Sequence, residues 1–118
     1  MITVMGKALY PPVTPELLQE VVRCILSAGA PRKIVLFGSH ARGEARRDSD
    51  LDLLIVEDRS AVPTYRRALP YRIALTDVEQ SKDIMVCTQD EIEDWRNVPL
   101  AFVTTALREG KVLYERHD

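Results

Sequence analysis

Asp50 and Asp52 stand two positions apart at the entry to an apolar run, Leu51-Asp52-Leu53-Leu54-Ile55. Side chains alternate along a strand, so residues two apart share a face, with α-carbons roughly 6.5–7 Å apart. Both carboxylates can then address one spot, while Leu51 and Leu53 turn the other way into a core. Two anions converging on a buried strand are costly unless a cation neutralises them. Mg2+ suits that role, because it takes oxygen ligands and is usually held by one or two carboxylates together with substrate phosphates.

A second short motif supplies the complement. The apolar stretch Val35-Leu36-Phe37 runs into Gly38-Ser39. Gly38 has no Cβ, so backbone can approach a ligand closely there and adopt unusual dihedrals. Ser39 begins a helical turn whose free N–H groups favour an anion. A strand ending in Gly-Ser beside a strand carrying Asp-x-Asp makes a cradle for a metal-bound polyphosphate. Arg42, inside that turn, can reach phosphates or pair with Asp48 or Glu44; both readings stay open. Ser49 is expected to brace the Asp50 loop through its hydroxyl. His40 is not read as a metal ligand, since Mg2+ prefers oxygen donors. Arg46 and Arg47 meet either solvent or an acceptor substrate.

Asp83 is the third candidate carboxylate. Lys82-Asp83-Ile84-Met85-Val86-Cys87 reads as a strand, and Asp83 sits near its start, as Asp52 does in its own. If the two strands are neighbours, Asp83 joins Asp50 and Asp52. Three carboxylates can hold two metal ions about 3.5–4 Å apart, orienting an attacking oxygen and a leaving phosphate. The plain alternative is a solvated aspartate at a strand end. Asp77, the nearby competitor, lies in a loop with no apolar run after it.

The elements that must position these residues follow from periodicity and punctuation. Thr14 is a good N-cap with Pro15 at the first helical position. Leu17, Leu18, Val21, Val22, Ile25 and Leu26 then form one helical stripe. Gly29 is expected to end this helix as a left-handed cap, and Lys33–Phe37 to form the strand before Gly38. A helical region is expected from about Pro63 to Leu75, kinked or in two pieces. Pro70 would cost about 3 kcal/mol in a helix interior. Its Tyr65, Arg66, Arg67, Tyr71 and Arg72 read as a basic, aromatic face, either solvated or a docking surface for an acidic partner. Thr88-Gln89-Asp90-Glu91 is a capping box, opening a helix to about Trp95, and a further helix runs from roughly Pro99 to Glu109. Trp95 with Tyr114 reads as core packing. Ile2-Thr3-Val4 can start an edge strand, and Val112-Leu113-Tyr114 a last short one. The order is that of a mixed α/β (α+β) fold, a mixed sheet with helices.

Composition narrows the class. One hundred and eighteen residues, 46% of them apolar, are expected to make one domain spanning 1–118. A net charge of −2 gives no broad drive toward nucleic acid, which favours a free nucleotide over a polymer. No apolar run approaches the roughly 20 residues of a membrane span, and no signal peptide is visible. Cys24 and Cys87 lie in apolar segments, as reduced thiols of a cytoplasmic protein would.

The spacing G-S-x10-D-x-D, with Ala41-Arg42-Gly43 inside it, resembles the nucleotidyltransferases of the DNA polymerase β-like superfamily, above all their minimal stand-alone members. The resemblance implies a polymerase β palm-like core, with Asp50, Asp52 and Asp83 as catalytic metal-binding carboxylates and Gly38, Ser39 and Arg42 on the nucleotide. It implies two Mg2+ ions, ATP as substrate, and transfer of AMP to a hydroxyl. The minimal proteins it resembles commonly act as antitoxins of a helical HEPN-class toxin, attaching AMP to that partner. Two readings of different class stay open: a Mg2+-dependent protein adenylyltransferase, and a non-catalytic module that neutralises a partner by contact. Transfer to a small molecule such as an aminoglycoside is a third.

Overall fold

The structure, a computed structural model, describes residues 11–95 and 102–117, with only the backbone of Trp95 and Phe102. The expectations for Ile2-Thr3-Val4, for Pro99 and Leu100, and for the Trp95 side chain lie outside the described residues.

Helix α1 spans Pro15–Ala28, and Thr14 caps it by accepting the Leu17 N–H at 3.1 Å. Strand β1 is Lys33–Phe37, and the short helix α2 is Ser39–Arg42. Strand β2 covers Leu51–Glu57, α3 Leu69–Ala74 and β3 Lys82–Thr88. Helices α4 (Gln89–Trp95) and α5 (Phe102–Glu109) follow, and β4 (Lys111–Glu115) ends the fold. The sheet runs β3-β2-β1-β4, with β2 and β3 parallel and the other pairs antiparallel. The expected mixed sheet with helices is therefore present, and the last apolar stretch is a strand against β1.

Strand alternation divides the core between two faces. Ile34, Leu36, Leu51, Leu53, Ile55, Ile84 and Val86 pack with Val21 and Ile25 of α1 and with Tyr71 and Leu75. Val35, Phe37, Leu54, Val56 and Cys87 pack on the opposite face with Ile92, Val103 and Ala106 of α4 and α5. Asp52 and Asp83 belong by alternation to this second face.

Two local expectations need correction. Gly29 is extended (φ −171°, ψ −175°), not a left-handed cap. A Cβ there would stand 2.6 Å from the Tyr71 hydroxyl, so what the position requires is space. Tyr71 does not belong to an outer face. It is 2% exposed, and its hydroxyl donates to Glu57 Oε2 at 2.6 Å; burial, then the Glu57 carboxylate, pushes its phenol far above the ordinary value. Arg67 likewise turns inward, onto Glu91 at 2.7 Å.

The Pro63–Leu75 region does come in two pieces, a 3-10 turn at Thr64–Arg66 and then α3. Pro70 falls in the first turn of α3, where its missing N–H has no intrahelical acceptor to lose. The capping box is formed: Glu91 accepts the Thr88 N–H at 2.8 Å, and Thr88 Oγ1 accepts the Glu91 N–H at 3.3 Å. Both cysteines are free thiols. Burial, then nearby Glu91, pushes the Cys87 thiol up to about 12. No helix among the described residues is long and apolar enough to cross a membrane.

Candidate active site

Gly38 ends β1 and opens α2 with φ +74° and ψ −154°, a conformation essentially confined to glycine. Its carbonyl accepts the N–H groups of Ala41 and Arg42, both at 3.1 Å. The N–H groups of Ser39 and His40, ahead of that first closed turn, have no intrahelical acceptor. Gly43 closes the turn in the left-handed region (φ +73°). Ser49 braces the following loop as expected: its hydroxyl accepts the Arg46 N–H at 2.8 Å, and its own N–H donates to Arg46 O at 3.0 Å.

Sheet register sets the carboxylates. Asp52 lies opposite Phe37 on β1 and opposite Asp83 on β3. Parallel neighbours are about 4.8 Å apart along the hydrogen-bonding direction, with side chains on the same face. Asp52 and Asp83 are thus adjacent carboxylates on one face. Asp50 is exposed, one residue before β2 begins. Burial, then the charges of Asp83 and Asp50, hold the Asp52 carboxyl above its ordinary value of 3.8, against the weaker pull of His40 and Arg42.

Gly38, Arg42, Asp52 and Asp83 line one cleft of about 260 Å3, completed by Phe37, Thr105, Ala106 and Glu109. Asp50 and Ser39 stand beside this cleft and are not in its lining. Arg42 pairs with Glu44 at 2.8 Å, the local partner the sequence allowed. His40 is half-buried, its Nε2 3.4 Å from Ser49 O. It lies on a second hollow of about 430 Å3 with Arg46, Arg47 and Ser49.

Thr105 and Glu109 are site residues the sequence reading missed. They lie four apart on α5, at the edge of its Val103–Ala106 apolar stripe. That spacing was legible, but nothing local ties α5 to the Asp-x-Asp strand.

The donor set is all oxygen, which is what Mg2+ takes. A metal would also relieve the mutual repulsion that raises Asp52. Among the described residues, no three or more acidic, His or Cys side chains are gathered tightly enough to hold a metal ion by themselves. That arrangement fits a cation that shares its coordination with substrate phosphates and water better than one caged by protein alone.

The nucleotidyltransferase domain profile matches residues 18–112. The chain belongs to the nucleotidyltransferase domain family, and so to a class of enzymes. A Methanocaldococcus jannaschii protein named "Putative protein adenylyltransferase MJ0604" is 29% identical over 103 residues, covering 82% of this chain and 94% of that one. Among solved structures, a toxin–antitoxin complex with AMP-PNP superposes with a TM-score of 0.63 at 16% identity, over 85% of this chain and 74% of that chain. A mutant of the toxin–antitoxin MntA-HpeT gives 0.61 at 13% identity, with the same coverages. A "putative nucleotidyltransferase" from Sulfolobus solfataricus gives 0.60 at 18% identity, over 96% of this chain and 94% of that chain. These likenesses are of fold.

Proposed function

We propose that this chain is a Mg2+-dependent adenylyltransferase that moves AMP from ATP to a hydroxyl of a partner protein, and that it serves as the antitoxin of a toxin–antitoxin pair whose toxin is a helical HEPN-type protein. The observation that carries the catalytic reading is the Asp52–Asp83 register across β2 and β3, facing a cleft floored by Gly38. The relative named for protein adenylylation supports the acceptor class, and the neighbour solved with AMP-PNP supports an adenine nucleotide donor. The toxin–antitoxin neighbours support the biological setting.

Asp50, Asp52 and Asp83 would hold Mg2+, which when bound offsets phosphate charge and lowers the pKa of an oxygen bound to it. The remaining chemistry belongs to the chain. The Ser39 and His40 backbone N–H groups hold the triphosphate oxygens at the Gly38 bend. The acceptor hydroxyl oxygen attacks the α-phosphorus in line, the bond from that phosphorus to the bridging oxygen breaks, and pyrophosphate leaves. Asp83, on the open side of the cleft, takes the hydroxyl proton. Arg42 is released from Glu44 to meet the departing pyrophosphate. His40 and the Arg46–Arg47 loop border the side where an acceptor can approach.

Neutralisation of a partner by contact alone is the rival reading, and the Asp52–Asp83 register counts against it, since a pure binder has no need of paired carboxylates in a cleft. Incubating the purified pair with ATP and Mg2+ and weighing the partner separates them. A mass gain of one adenylyl group, absent with Asp52→Asn, is the expected result. Full neutralisation without any mass gain would overturn the enzymatic reading.

A further inference from the structure

The segment that crosses from β2 to β3 carries an apolar stripe that nothing among the described residues covers. Tyr65 is 84% exposed, Ile73 65%, Leu69 54% and Val62 46%. Arg67 and Ala68, between the 3-10 turn and α3, are also right-handed helical, so residues 64–74 follow one helical path. Tyr65, Leu69 and Ile73 are spaced by four and fall along one side of it. Arg66 and Arg72 stand three residues before and after Leu69, and both are exposed. The opposite side carries Arg67, Tyr71 and Leu75, and it is anchored through Arg67–Glu91 and Tyr71–Glu57.

The exposed charged side chains within the stripe's own segment, Arg66 and Arg72, are both cationic. Lys82 half-buries nearby, and burial, then Arg72, lowers its pKa. None of the ion pairs among the described residues includes Arg59, Arg66 or Arg72. Exposed apolar side chains rimmed by unneutralised guanidinium groups mark an interaction surface, since arginine and tyrosine are favoured at such contacts.

The face is also separate from the cleft. Tyr71 and Leu75 of this segment pack on the sheet face that carries Leu53 and Ile84, whereas Asp52 and Asp83 belong by alternation to the opposite face.

We infer that the Tyr65–Ile73 face docks a partner protein through an amphipathic helix whose apolar stripe is edged by carboxylates. Leucine-like side chains cover Tyr65, Leu69 and Ile73, and acidic residues on both flanks meet Arg66 and Arg72. Nucleic acid is the poorer occupant: two flanking arginines give few phosphate contacts, and four large apolar side chains would be left wet. The inference concerns recognition alone and stands whether or not AMP is transferred.

The probe is a fluorescent 21-residue helical peptide with leucines at heptad core positions and glutamates on both flanks, compared with the same peptide carrying lysines instead. Anisotropy titration of the full chain is expected to show binding of the glutamate peptide only. Double substitution Arg66→Glu with Arg72→Glu should weaken it at least about tenfold, roughly 1.4 kcal/mol, and should let the lysine peptide bind. Leu69→Ser with Ile73→Ser should weaken the glutamate peptide comparably. All four positions are exposed, and circular dichroism checks that the variants stay folded.

Equal affinity for both peptides, or no binding of the glutamate peptide, would overturn the inference. So would a concentration-dependent dimer in sedimentation that the serine variant abolishes, or tight oligonucleotide binding that Arg66→Glu removes. Asp52→Asn is expected to bind the peptide as the wild type does, so failure of catalysis and failure of docking are told apart.

Discussion

A β-carbon on Gly38 would stand 2.1 Å from Oδ2 of Asp52. The bend that ends β1 and the carboxylate on β2 are fitted to each other, and only a residue without a side chain permits it. Gly38 also holds φ +74° and ψ −154°, where a side chain adds roughly 1–3 kcal/mol of strain. Gly38→Ala should therefore lower the unfolding free energy by about that amount and displace Asp52. Nucleotide transfer is expected to fall far more steeply than stability, which urea unfolding and a labelled-ATP assay read separately.

Asp52 is held in a site that penalises its charge, through burial and then through Asp83 and Asp50. Asp52→Asn keeps the shape and removes that charge, so it should raise Tm at neutral pH in chelator-treated buffer while abolishing transfer. Adding Mg2+ should stabilise the wild type and leave the variant unmoved. Differential scanning calorimetry with and without Mg2+ checks both outcomes.

The Arg67–Glu91 pair joins the 3-10 turn before α3 to the first turn of α4, with 9% of the arginine side chain and 30% of the glutamate exposed. Breaking a fully buried pair costs roughly 3–5 kcal/mol. With the glutamate partly wet, Arg67→Met should cost about 2 kcal/mol. Burial pushes the Glu91 carboxyl up, but the Arg67 and Thr88 hydrogen bonds outweigh it and leave it below its ordinary 4.5. A depressed carboxylate stabilises above its unfolded value and loses that contribution as pH falls through its folded one. The wild-type advantage over Arg67→Met should thus be full near neutrality and shrink below pH 4.5, which denaturant titrations across that range measure.

Gly29 and Tyr71 are coupled by contact. Gly29→Ala pushes a methyl against the Tyr71 hydroxyl and should destabilise the fold by about 1–3 kcal/mol. Combined with Tyr71→Phe, part of that cost should vanish, because the obstructing oxygen is gone. A double-mutant cycle reads the non-additivity.

How much of this was legible before any coordinates comes down to range. The Thr14 cap, the Thr88–Glu91 capping box, the Ser49 brace and the Gly38 bend are local, and residue types at short spacing dictate them. Asp-x-Asp before an apolar run placed Asp50 and Asp52, and the matching position of Asp83 in its own strand suggested the partner. What resisted was tertiary. Gly29 looked like a helix cap because glycine usually serves there, whereas here the Tyr71 ring needs the room. Tyr71 and Arg67 looked like a polar face because their carboxylate partners, Glu57 and Glu91, are 14 and 24 residues away. Thr105 and Glu109 reach the cleft only because α5 packs over β1 and β2, which no periodicity in α5 announces.

The most direct test is the rate of AMP transfer by Asp83→Asn, with Asp52→Asn alongside, measured with α-labelled ATP, Mg2+ and the co-purified partner. Losing several kcal/mol of transition-state stabilisation from this pair predicts a fall of at least about 10³-fold in each variant, with the partner still bound. Transfer by Asp83→Asn within about twofold of wild type, under 0.5 kcal/mol of barrier, would contradict the central claim that the two carboxylates paired across β2 and β3 carry the reaction.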